Sequence, residues 1–308
     1  MMTLRIAVVG LGKIAHDQHL PAIAASPDFD LVAAASLEGG VDGVPVFRTI
    51  DDLLASDIAV DAVAMCQPPQ ARYDAALTAI RANKHVLLEK PPGATMAECE
   101  GLVRMATATG TTLFAAWHSR YAPGVAPARA WLSSRRILSA AIVWKEDVRR
   151  WHPGQRWIWE PGGLGVFDPG INALSIATHI LPGHIVLRGG TLDVPSNRAA
   201  PIAADLTLVD MDGAPISVVF DWRQTGPQTW DISVETADGR LELERGGAAL
   251  RIAGEDQSLP AEAEYPRLYA HFADLIRAKA SDTDRSPLRL VADAFLRARH
   301  VPVAPFDD

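Results

Sequence analysis

Cysteine, basic charge and long apolar runs are all scarce in this chain of 308 residues. Its two cysteines, Cys66 and Cys99, are too few for a disulfide framework, which favours a reducing compartment. A formal net charge of −8 argues against a nucleic-acid-binding surface, because such surfaces need a basic face. No apolar run approaches the roughly 20 residues of a membrane span, and a strand pattern already begins at Leu4, so no secretion signal is expected. These absences predict a cytoplasmic protein with neither membrane nor nucleic-acid partners.

The composition that remains is typical of a globular chain with a sizeable core. Hydrophobic residues make up 48% and charged residues 21% of the sequence, which leaves ample apolar surface to bury. A length of 308 residues suits two domains of ordinary size. We place the first domain at residues 1–120 and the second at 121–308, with the C-terminal helices able to pack back on the first.

The first domain alternates strand patterns with helix patterns. Short apolar runs that predict buried strands cover residues 4–9, 30–35, 60–66, 85–88 and 112–116. Helical patterns separate them, including one over residues 95–109. This alternation is typical of a doubly wound parallel sheet, the Rossmann arrangement. The predicted fold class is therefore α/β.

The strands predicted in the second domain are joined by tight turns. They cover residues 137–144, 204–209, 215–222, 229–236, 240–244 and 249–252. Turn sequences such as Met211-Asp212-Gly213 lie between them, and such junctions favour antiparallel pairing. The prediction is an α+β domain on an open, mostly antiparallel sheet, with helices near 264–280 and 288–300 finishing the chain.

A glycine-rich turn follows the first predicted strand. The segment Gly10-Leu11-Gly12-Lys13-Ile14-Ala15 has the form G-x-G-x-x-A. In a strand–turn–helix setting the first glycine permits the turn, the second lets a pyrophosphate approach the backbone, and the small Ala15 lets helix and strand pack closely. We therefore expect a dinucleotide here, held by the backbone of Gly10, Gly12, Lys13 and Ile14 at the helix N-terminus.

The end of the second predicted strand bears on the choice between NAD and NADP. Dinucleotide sites usually carry an acid there for the ribose, but this chain has Ser36, followed by Leu37 and Glu38. Ser36 brings no charge to repel a 2′-phosphate, no arginine beside it attracts one, and Glu38 is available for a ribose hydroxyl. The cofactor is thus NAD or NADP, and our hypothesis is that both are used.

A charged step ends the strand near residue 88. Leu88 is followed by Glu89, Lys90 and two prolines, and proline lacks the N–H that a ladder needs. The carboxyl edge of a parallel sheet, where α/β folds bind ligands, is therefore expected to present both charges. We expect four residues at the cofactor: Cys66, Gln67, Glu89 and Lys90. A surface ion pair and a buried small thiol are the structural alternatives.

A second informative segment precedes a helix in the second domain. A glycine-rich stretch from Trp159 leads to Asp168 and Asn172, and the helix is expected to end near His179. Asp168 and Asn172 are four residues apart, so both project from one face of the helix. Asp168 alone is as well explained by a helix cap, whereas Asn172 lies one turn further into an apolar helix and needs a polar partner, which a sugar supplies.

Together these motifs resemble the glucose–fructose oxidoreductase, inositol dehydrogenase and rhizopine-catabolism family (Gfo/Idh/MocA) over essentially the whole chain. The resemblance is carried by the G-x-G-x-x-A turn, the Glu89-Lys90-Pro91 step and the Asp168-x-x-x-Asn172 pair. The family usually has histidine at the last position, and Asn172 departs from that pattern because an amide cannot exchange a proton. The segments Trp117–Arg120 and Glu146–Pro153 also resemble the branch that oxidises L-arabinose or D-galactose at the anomeric carbon.

The resemblance implies an NAD(P)-dependent aldose 1-dehydrogenase that converts an aldopyranose to its lactone. Lys90 and Asp168 are then the catalytic candidates for the O1 proton, and Asn172 binds a hydroxyl. A lysine in a desolvated cleft beside a cationic nicotinamide has its charged form disfavoured, which suits a base. Which member of the Lys90–Asp168 pair is the base stays open, because such a pair titrates jointly.

Four further residues are expected to bind the sugar ring: His118, Glu146, Trp151 and Trp230. A tryptophan face covers the C–H face of a sugar, and a carboxylate accepts from its hydroxyls. With 8 tryptophans in the chain, a core position is an equal interpretation for Trp230. The nine histidines are scattered, and we expect no metal.

Two other functions are compatible with these motifs. One is an inositol-type secondary-alcohol dehydrogenase, or an enzyme with tightly held NADP, against which Asn172 weighs. The other is a non-catalytic NAD(P)-binding sensor, which usually lacks the lysine that is present here as Lys90. The resemblance and the open sheet of the second domain also predict a homodimer or a higher homo-oligomer.

Overall fold

The structure is a computed structural model and describes residues 3–307. Its strands, numbered along the chain, are β1 Leu4–Val9, β2 Phe29–Ala35, β3 Val46–Phe47, β4 Ala62–Met65, β5 His85–Glu89, β6 Leu113–Ala116, β7 Ile137–Lys145, β8 Val186–Pro195, β9 Ala203–Val209, β10 Pro215–Asp221, β11 Thr229–Thr236, β12 Gly239–Glu244, β13 Ala249–Ile252, β14 Glu255–Asp256 and β15 Arg299–Val303. Its α-helices are α1 Leu20–Ala24, α2 Ile50–Ala55, α3 Tyr73–Arg81, α4 Met96–Thr109, α5 Val125–Leu132, α6 Val148–Trp151, α7 Phe167–Ile180, α8 Glu264–Ala278 and α9 Ser286–Arg297.

The chain divides into two compact units. Unit 1 runs to His118 and adds Tyr265–Arg285, whereas unit 2 comprises Ser119–Glu264 and the segment from Ser286 onward. Helix α8 is therefore distant in sequence from the strands of its own unit. It is held there by aromatic packing: Phe272 stacks on Phe29 at 5.7 Å and on Phe114 at 6.0 Å between ring centroids.

Unit 1 is built on a parallel sheet with the strand order β3-β2-β1-β4-β5-β6. Strand β4 is buried at every position and β5 at all but its first, as expected for parallel strands covered on both faces. The segment after β1 is π-helical over Ala15–His19 and continues as α1. The predicted Rossmann sheet is thus confirmed, and its carboxyl edge carries the glycine-rich turn together with the ends of β4 and β5.

Unit 2 is built on a mixed sheet with the order β14-β13-β12-β11-β7-β10-β9-β8-β15. Most neighbours are antiparallel, but β7 pairs in parallel with β10, and β8 in parallel with β15. Helix α7 packs closely on this sheet: a Cβ added at Gly170 would lie 2.7 Å from the Phe220 ring. Phe167 meets the same ring edge-on at 5.8 Å. This close packing fixes the start of α7 against the sheet.

The end of the chain differs from the sequence-based expectation. A helix was expected over 288–300, but α9 ends at Arg297 and Arg299–Val303 forms β15 along the edge of the sheet. Pro302 is tolerated because an edge strand does not need every N–H. Strand β8 was not predicted either; it pairs with β9 and has a register shift between Leu187 and Gly189.

Candidate active site

The glycine-rich turn of unit 1 leaves its backbone open on one side. Gly10 has a φ of +90°, and a Cβ there would lie 2.8 Å from the backbone nitrogen of Gln67, so only glycine fits. Gly12 behaves differently, since a Cβ at that position would meet no protein atom within 4 Å. The next two residues, Lys13 and Ile14, are exposed. An open backbone of this kind is what a bound pyrophosphate requires.

Ser36 braces this turn rather than projecting freely from the end of β2. Its hydroxyl accepts a hydrogen bond from the backbone N–H of Leu11 at 3.3 Å and donates to the carbonyl of Glu38 at 2.5 Å. Glu38 is exposed. Ser36 thus connects the glycine turn to the segment where a dinucleotide fold places its ribose.

Gln67 supplies a second sign of a bound group at the same edge. Its side-chain oxygen Oε1 is buried and accepts no hydrogen bond from any residue that the structure describes. Buried polar atoms normally have partners, so this acceptor is suited to a donor from a ligand. Cys66 beside it is buried, and its N–H donates to the carbonyl of Val9 at 2.8 Å. The open turn and the unsatisfied acceptor together fit a dinucleotide.

The Glu89 carboxylate lies inside unit 1, not at the exposed edge where the sequence pattern was expected to present it. It is 2% exposed. Tyr265 donates its hydroxyl proton to Glu89 Oε1 at 2.5 Å, and His19 Nε2 lies 3.4 Å from the same oxygen. His19 Nδ1 is in turn 2.8 Å from the Tyr269 hydroxyl. The network joins the helix after the glycine turn, the end of β5 and α8.

Electrostatics make His19 and Glu89 a buried ion pair. Burial alone raises the pKa of Glu89, but the hydrogen bond and charge of His19 outweigh it and lower that pKa to about 2. Burial lowers the pKa of His19, but its interactions with Cys66, Tyr269 and Glu89 raise it well above its ordinary value. Burial raises the pKa of Tyr269 to about 12. Glu89 is therefore a permanent carboxylate that anchors its strand and does not exchange protons near neutral pH.

Lys90 and His118 follow two neighbouring strand ends of unit 1. Strand β5 pairs in parallel with β6, which brings the ends of the two strands to the same edge. Lys90 directly follows β5 and is half-buried. His118 stacks on the Tyr265 ring with centroids 5.2 Å apart and planes at 19°. Tyr265 thus contacts Glu89 through its hydroxyl and His118 through its ring.

In unit 2, the sugar-binding candidate Glu146 is buried at the end of β7. Trp222 donates its indole N–H to Glu146 Oε1 at 3.3 Å, and Trp230 donates to Oε2 at 2.9 Å. Both carboxylate oxygens are therefore held by tryptophan N–H groups. A carboxylate oxygen accepts more than one hydrogen bond, so Glu146 retains capacity for a ligand hydroxyl.

The indole rings around Glu146 form an apolar wall. Trp230 lies 5.4 Å from Trp151 and 6.0 Å from Trp144 between ring centroids. Trp151 is 37% exposed, and its N–H donates to Gln228 Oε1 at 3.3 Å. Trp151 and Trp230, both predicted to bind a sugar ring, are thus brought together with Glu146. Gln228 gave no signal in the sequence.

The two polar residues of α7 that the sequence singles out lie in its first two turns. Asp168 is buried in the first turn, and Asn172 is half-buried one turn later. Gly170 between them lets the helix approach the sheet. Ser175 donates its hydroxyl proton to the carbonyl of Asn172 at 2.7 Å. The spacing places Asp168 and Asn172 on one helix face.

His152 connects the carboxylates of unit 2 and was not singled out from the sequence. Its Nε2 lies 3.6 Å from Glu146 Oε1, and its Nδ1 lies 3.7 Å from Asp168 Oδ2. Nδ1 is also 3.4 Å from Gln155 Oε1. The residues next to His152 in the sequence form no pattern that marks it as a site residue. Its contacts with Glu146 and Asp168 are therefore seen only in the three-dimensional structure.

The described residues contain neither a metal-binding cluster nor a membrane-spanning helix. Over residues 3–307, no group of three or more His, Cys, Asp or Glu side chains has the arrangement of a metal site. Within the same range, no helix combines the length and apolar character needed to cross a membrane.

A parallel sheet with an open glycine turn at its carboxyl edge defines a dinucleotide-binding Rossmann protein. Residues 4–116 match the model of an oxidoreductase family with an NAD-binding Rossmann fold, Gfo/Idh/MocA. The chain is 46% identical to galactose 1-dehydrogenase of Pseudomonas fluorescens, with 100% of both chains covered. It is 54% identical to a D-galactose-1-dehydrogenase from Rhizobium etli of known crystal structure, with a TM-score of 0.96 and coverage of 100% of this chain and 99% of that one.

A more distant structure shares the fold. A 3-ketoreductase from Actinomadura kijaniata, solved with NADP, is 21% identical, with a TM-score of 0.82 and coverage of 98% of this chain and 100% of that one. The full-length similarity extends well beyond the matched Rossmann segment. This protein belongs to the Gfo/Idh/MocA oxidoreductase family.

Proposed function

We propose that the protein is an NAD(P)-dependent aldose 1-dehydrogenase that oxidises the anomeric carbon of D-galactose, L-arabinose or both to the lactone. The observation that carries this proposal is the similarity to two galactose 1-dehydrogenases over essentially their full lengths, at 46% and 54% identity. The two sugars have the same hydroxyl arrangement at C2, C3 and C4 and differ by one hydroxymethyl group. A pocket open at that corner accepts both.

The proposed reaction removes a hydride from C1 and a proton from O1. A bound oxidised nicotinamide would supply the hydride acceptor. Lys90 and Asp168 share the O1 proton: one of them accepts it while the other orients or stabilises the acceptor. Asn172 binds a neighbouring hydroxyl, since its amide holds a hydrogen bond but no exchangeable charge.

The ring-binding roles rest on the Glu146 site of unit 2. Glu146 accepts hydrogen bonds from the sugar hydroxyls while Trp222 and Trp230 hold its oxygens in place. Trp151 and Trp230 cover an apolar face of the ring. His152, which lies between Glu146 and Asp168, keeps the two carboxylates at a set separation. His118 is the ring-binding candidate from unit 1.

For the cofactor, we propose use of both NAD and NADP. The residues that hold it are Gly10, Gly12, Lys13, Ile14, Ser36, Cys66, Gln67, Glu89 and Lys90, with Glu89 acting through its strand because its carboxylate is buried. Ser36 carries no charge that opposes a 2′-phosphate. A preference above about 100-fold in kcat/KM, about 2.7 kcal/mol, would refute dual use, because one missing contact usually supplies less.

The substrate proposal is tested by following reduced cofactor across a panel of aldopyranoses and by identifying the product. D-Galactose and L-arabinose should be oxidised with lactone or the hydrolysed acid as product, and myo-inositol should be inactive. A keto product would favour the inositol-type alternative. Absence of turnover with every aldopyranose, in protein that still binds cofactor, would favour the sensor alternative.

Lys90 has its own test. Lys90→Ala is expected to lower the single-turnover rate of hydride transfer by about 100-fold or more, the effect of losing a general base. The rate is measured at saturating cofactor and sugar, so a change in affinity does not contribute. An unchanged rate would remove Lys90 from the reaction.

We also propose a cytoplasmic homo-oligomer, at least a dimer, that associates through the open sheet of unit 2. Light scattering coupled to size-exclusion chromatography gives the mass of the particle directly. A particle of about one chain mass at micromolar concentration, close to 33.1 kDa, would contradict this.

A further inference from the structure

A buried guanidinium holds the ends of two strands in unit 1. Arg72 lies just before α3 and is 2% exposed. Its Nη2 donates to the carbonyl of Gln67, and its Nη1 donates to the carbonyls of Glu89 and Pro91. One side chain therefore contacts three backbone carbonyls that lie beyond or at the ends of β4 and β5.

Two of these carbonyls belong to the residues next to Lys90 in the chain. The guanidinium binds the carbonyl of Glu89, which is in the peptide bond to Lys90, and the carbonyl of Pro91, which is one peptide bond beyond it. Strand β4 pairs in parallel with β5, and Gln67 belongs to the segment that follows β4. Arg72 thus ties the Lys90 backbone to the strand end that carries the cofactor candidate Gln67.

The side chain before Lys90 is held as well. The Glu89 carboxylate receives the Tyr265 hydroxyl at 2.5 Å and lies 3.4 Å from His19. Arg72 therefore binds the backbone carbonyl of Glu89. The side chain of Glu89 is held by Tyr265 of α8 and by His19 of the helix that follows the glycine turn. With both groups of Glu89 fixed, little freedom is left for the Lys90 backbone.

We propose that Arg72 is a positioning residue for Lys90: it fixes the backbone from which the Lys90 amine is presented to the reaction. The proposal rests on the function proposed above, since it takes Lys90 to act on the substrate. A guanidinium suits this role because its planar fork of five donors reaches several carbonyls at once. A lysine ammonium is a compact point charge, so Arg72→Lys keeps the charge but loses the fork.

A double-mutant cycle separates positioning from a general role in folding. Arg72→Lys is expected to lower single-turnover hydride transfer by about 10- to 100-fold, because a displacement of about 1 Å at a reacting group costs up to that much. In a Lys90→Ala background the same change should alter the residual rate by less than about 2-fold, since the residue being positioned is gone. The dissociation constant of reduced cofactor is measured for each variant, so that an effect through the Gln67 carbonyl, which Arg72 also binds, is separated from the effect on hydride transfer.

Arg297→Lys, at an exposed arginine, is the control for the substitution itself. Arg297 Nε also donates to a backbone carbonyl, that of Arg188 at 2.9 Å, but it lies in unit 2 and flanks no candidate residue. Its variant should keep the wild-type rate. The melting temperatures of all variants are recorded. Arg72→Met is made beside Arg72→Lys, because the lysine variant keeps the positive charge and the methionine variant removes it, while both lose the guanidinium donors.

A second readout does not need turnover. The Lys90 amine is labelled with an amine-reactive acylating reagent in cofactor-loaded protein, and the modified peptides are quantified by mass spectrometry. Arg72→Lys should change the labelling rate of Lys90 while the rates of Lys84 and Lys145 stay constant. This comparison remains informative even if no aldose is oxidised, so failure of the proposed function and failure of the positioning role are distinguished.

Non-additive rate effects together with a Lys90-specific change in labelling would support the proposal. Equal losses from Arg72→Lys in both backgrounds would overturn it, as would an unchanged Lys90 labelling rate in folded protein. If Lys90→Ala itself keeps the wild-type rate while sugar is oxidised, the positioning role falls and the substrate assignment stands.

Discussion

At the scale of single residues, Gly10 and Gly12 have different requirements although they belong to one motif. Gly10 combines a φ of +90° with a close approach to Gln67, so its glycine is demanded by the fold itself. Gly12 has no protein neighbour within 4 Å of its missing Cβ, so the fold itself leaves room for a side chain there, and we attribute its glycine to the proposed pyrophosphate site. The motif therefore contains one position that the fold requires to be glycine and one that we assign to the cofactor.

Gly12→Ala should bind cofactor at least about 10-fold more weakly, because the added methyl group occupies space needed for the pyrophosphate. The melting temperature should not change, since the methyl group meets no protein atom. Titration of cofactor fluorescence and thermal unfolding measure the two effects. Gly189→Ala, where a Cβ also meets nothing within 4 Å, is the control and should change neither. Unaltered cofactor affinity in Gly12→Ala would place the dinucleotide elsewhere.

Glu146 provides a second prediction for a single side chain. Glu146→Gln keeps the shape of the group but replaces one acceptor oxygen with an amide donor, which faces a tryptophan N–H. We expect kcat/KM for the sugar to fall by about 10- to 100-fold, the range for losing a charged hydrogen-bond acceptor, with cofactor affinity unchanged. An unchanged kcat/KM for the sugar would exclude Glu146 from the ring-binding site.

At the scale of elements, the site of unit 2 depends on how closely α7 lies on the sheet. Gly170→Ala would place a methyl carbon 2.7 Å from the Phe220 ring, so the helix or the ring must move. We expect a loss of about 1–3 kcal/mol in the free energy of unfolding, as for other overpacked cores. Chemical denaturation measures it, with Gly189→Ala as the reference. If the free energy of unfolding of Gly170→Ala equals that of the reference within error, α7 can move away from the sheet without cost.

The segment that follows β15 packs against the aromatic residues next to the Glu146 site. The Asn197 amide pairs with both backbone groups of Phe306: Nδ2 donates to its carbonyl at 3.1 Å, and the Phe306 N–H donates to Oδ1 at 3.0 Å. The Phe306 ring lies 5.9 Å from Trp159, which lies 5.1 Å from Trp222, the donor to Glu146. Aromatic packing thus runs from the chain end to the Glu146 carboxylate.

Phe306→Ala should therefore raise KM for the sugar by about 3- to 10-fold, because Trp159 and then Trp222 gain freedom. It should also lower the free energy of unfolding by about 1–2 kcal/mol through lost ring burial. Steady-state kinetics and denaturation give both values. Phe306→Leu, which retains most of the apolar volume, should restore most of each. Wild-type KM in Phe306→Ala would confine this segment to a stabilising role.

At the scale of the whole molecule, the His19–Glu89 pair predicts how stability depends on pH. The pKa of Glu89 falls from 4.5 to about 2 on folding. Its contribution is therefore complete above about 4.5 and is lost as the pH falls toward 2. The pKa of His19 is raised above 6.5, so its contribution is complete below 6.5 and is lost as the pH rises through the folded value.

Glu89→Gln should flatten both limbs of the pH–stability curve, because it removes the carboxylate and the reason for His19 to hold its proton. The free energy of unfolding is measured across pH for wild type, Glu89→Gln and the surface control Glu100→Gln. The control should follow wild type. If stability falls as steeply with decreasing pH in Glu89→Gln as in wild type, other carboxylates determine the acid dependence of stability.

Much of the fold could be predicted because local patterns report it. A parallel strand buried on both faces is apolar throughout, and runs such as Ala62–Met65 show this directly in the sequence. The antiparallel hairpins of unit 2 follow from their glycine-containing turns. By contrast, β15 pairs with β8, and β8 also pairs with β9. These contacts between segments distant in sequence leave no periodic pattern in β8 or β15.

The candidate site was predictable only in part, for the same reason. Lys90 and Asp168 stand in motifs, whereas Tyr265 reaches Glu89 across 176 residues of sequence. Arg72 and His152 likewise have no distinguishing neighbours along the chain. Contacts between distant segments determine their surroundings, so only the three-dimensional structure reveals that they adjoin the residues of the motifs.

Oxidation of D-galactose deuterated at C1 shows which carbon of the sugar donates the hydride. We predict that the deuterium is found on the reduced cofactor, that the lactone carries none, and that single-turnover hydride transfer shows a primary isotope effect of about 2 or more. Deuterium retained at C1 of an oxidised sugar would instead mean that another carbon is the hydride donor. That result would contradict anomeric oxidation.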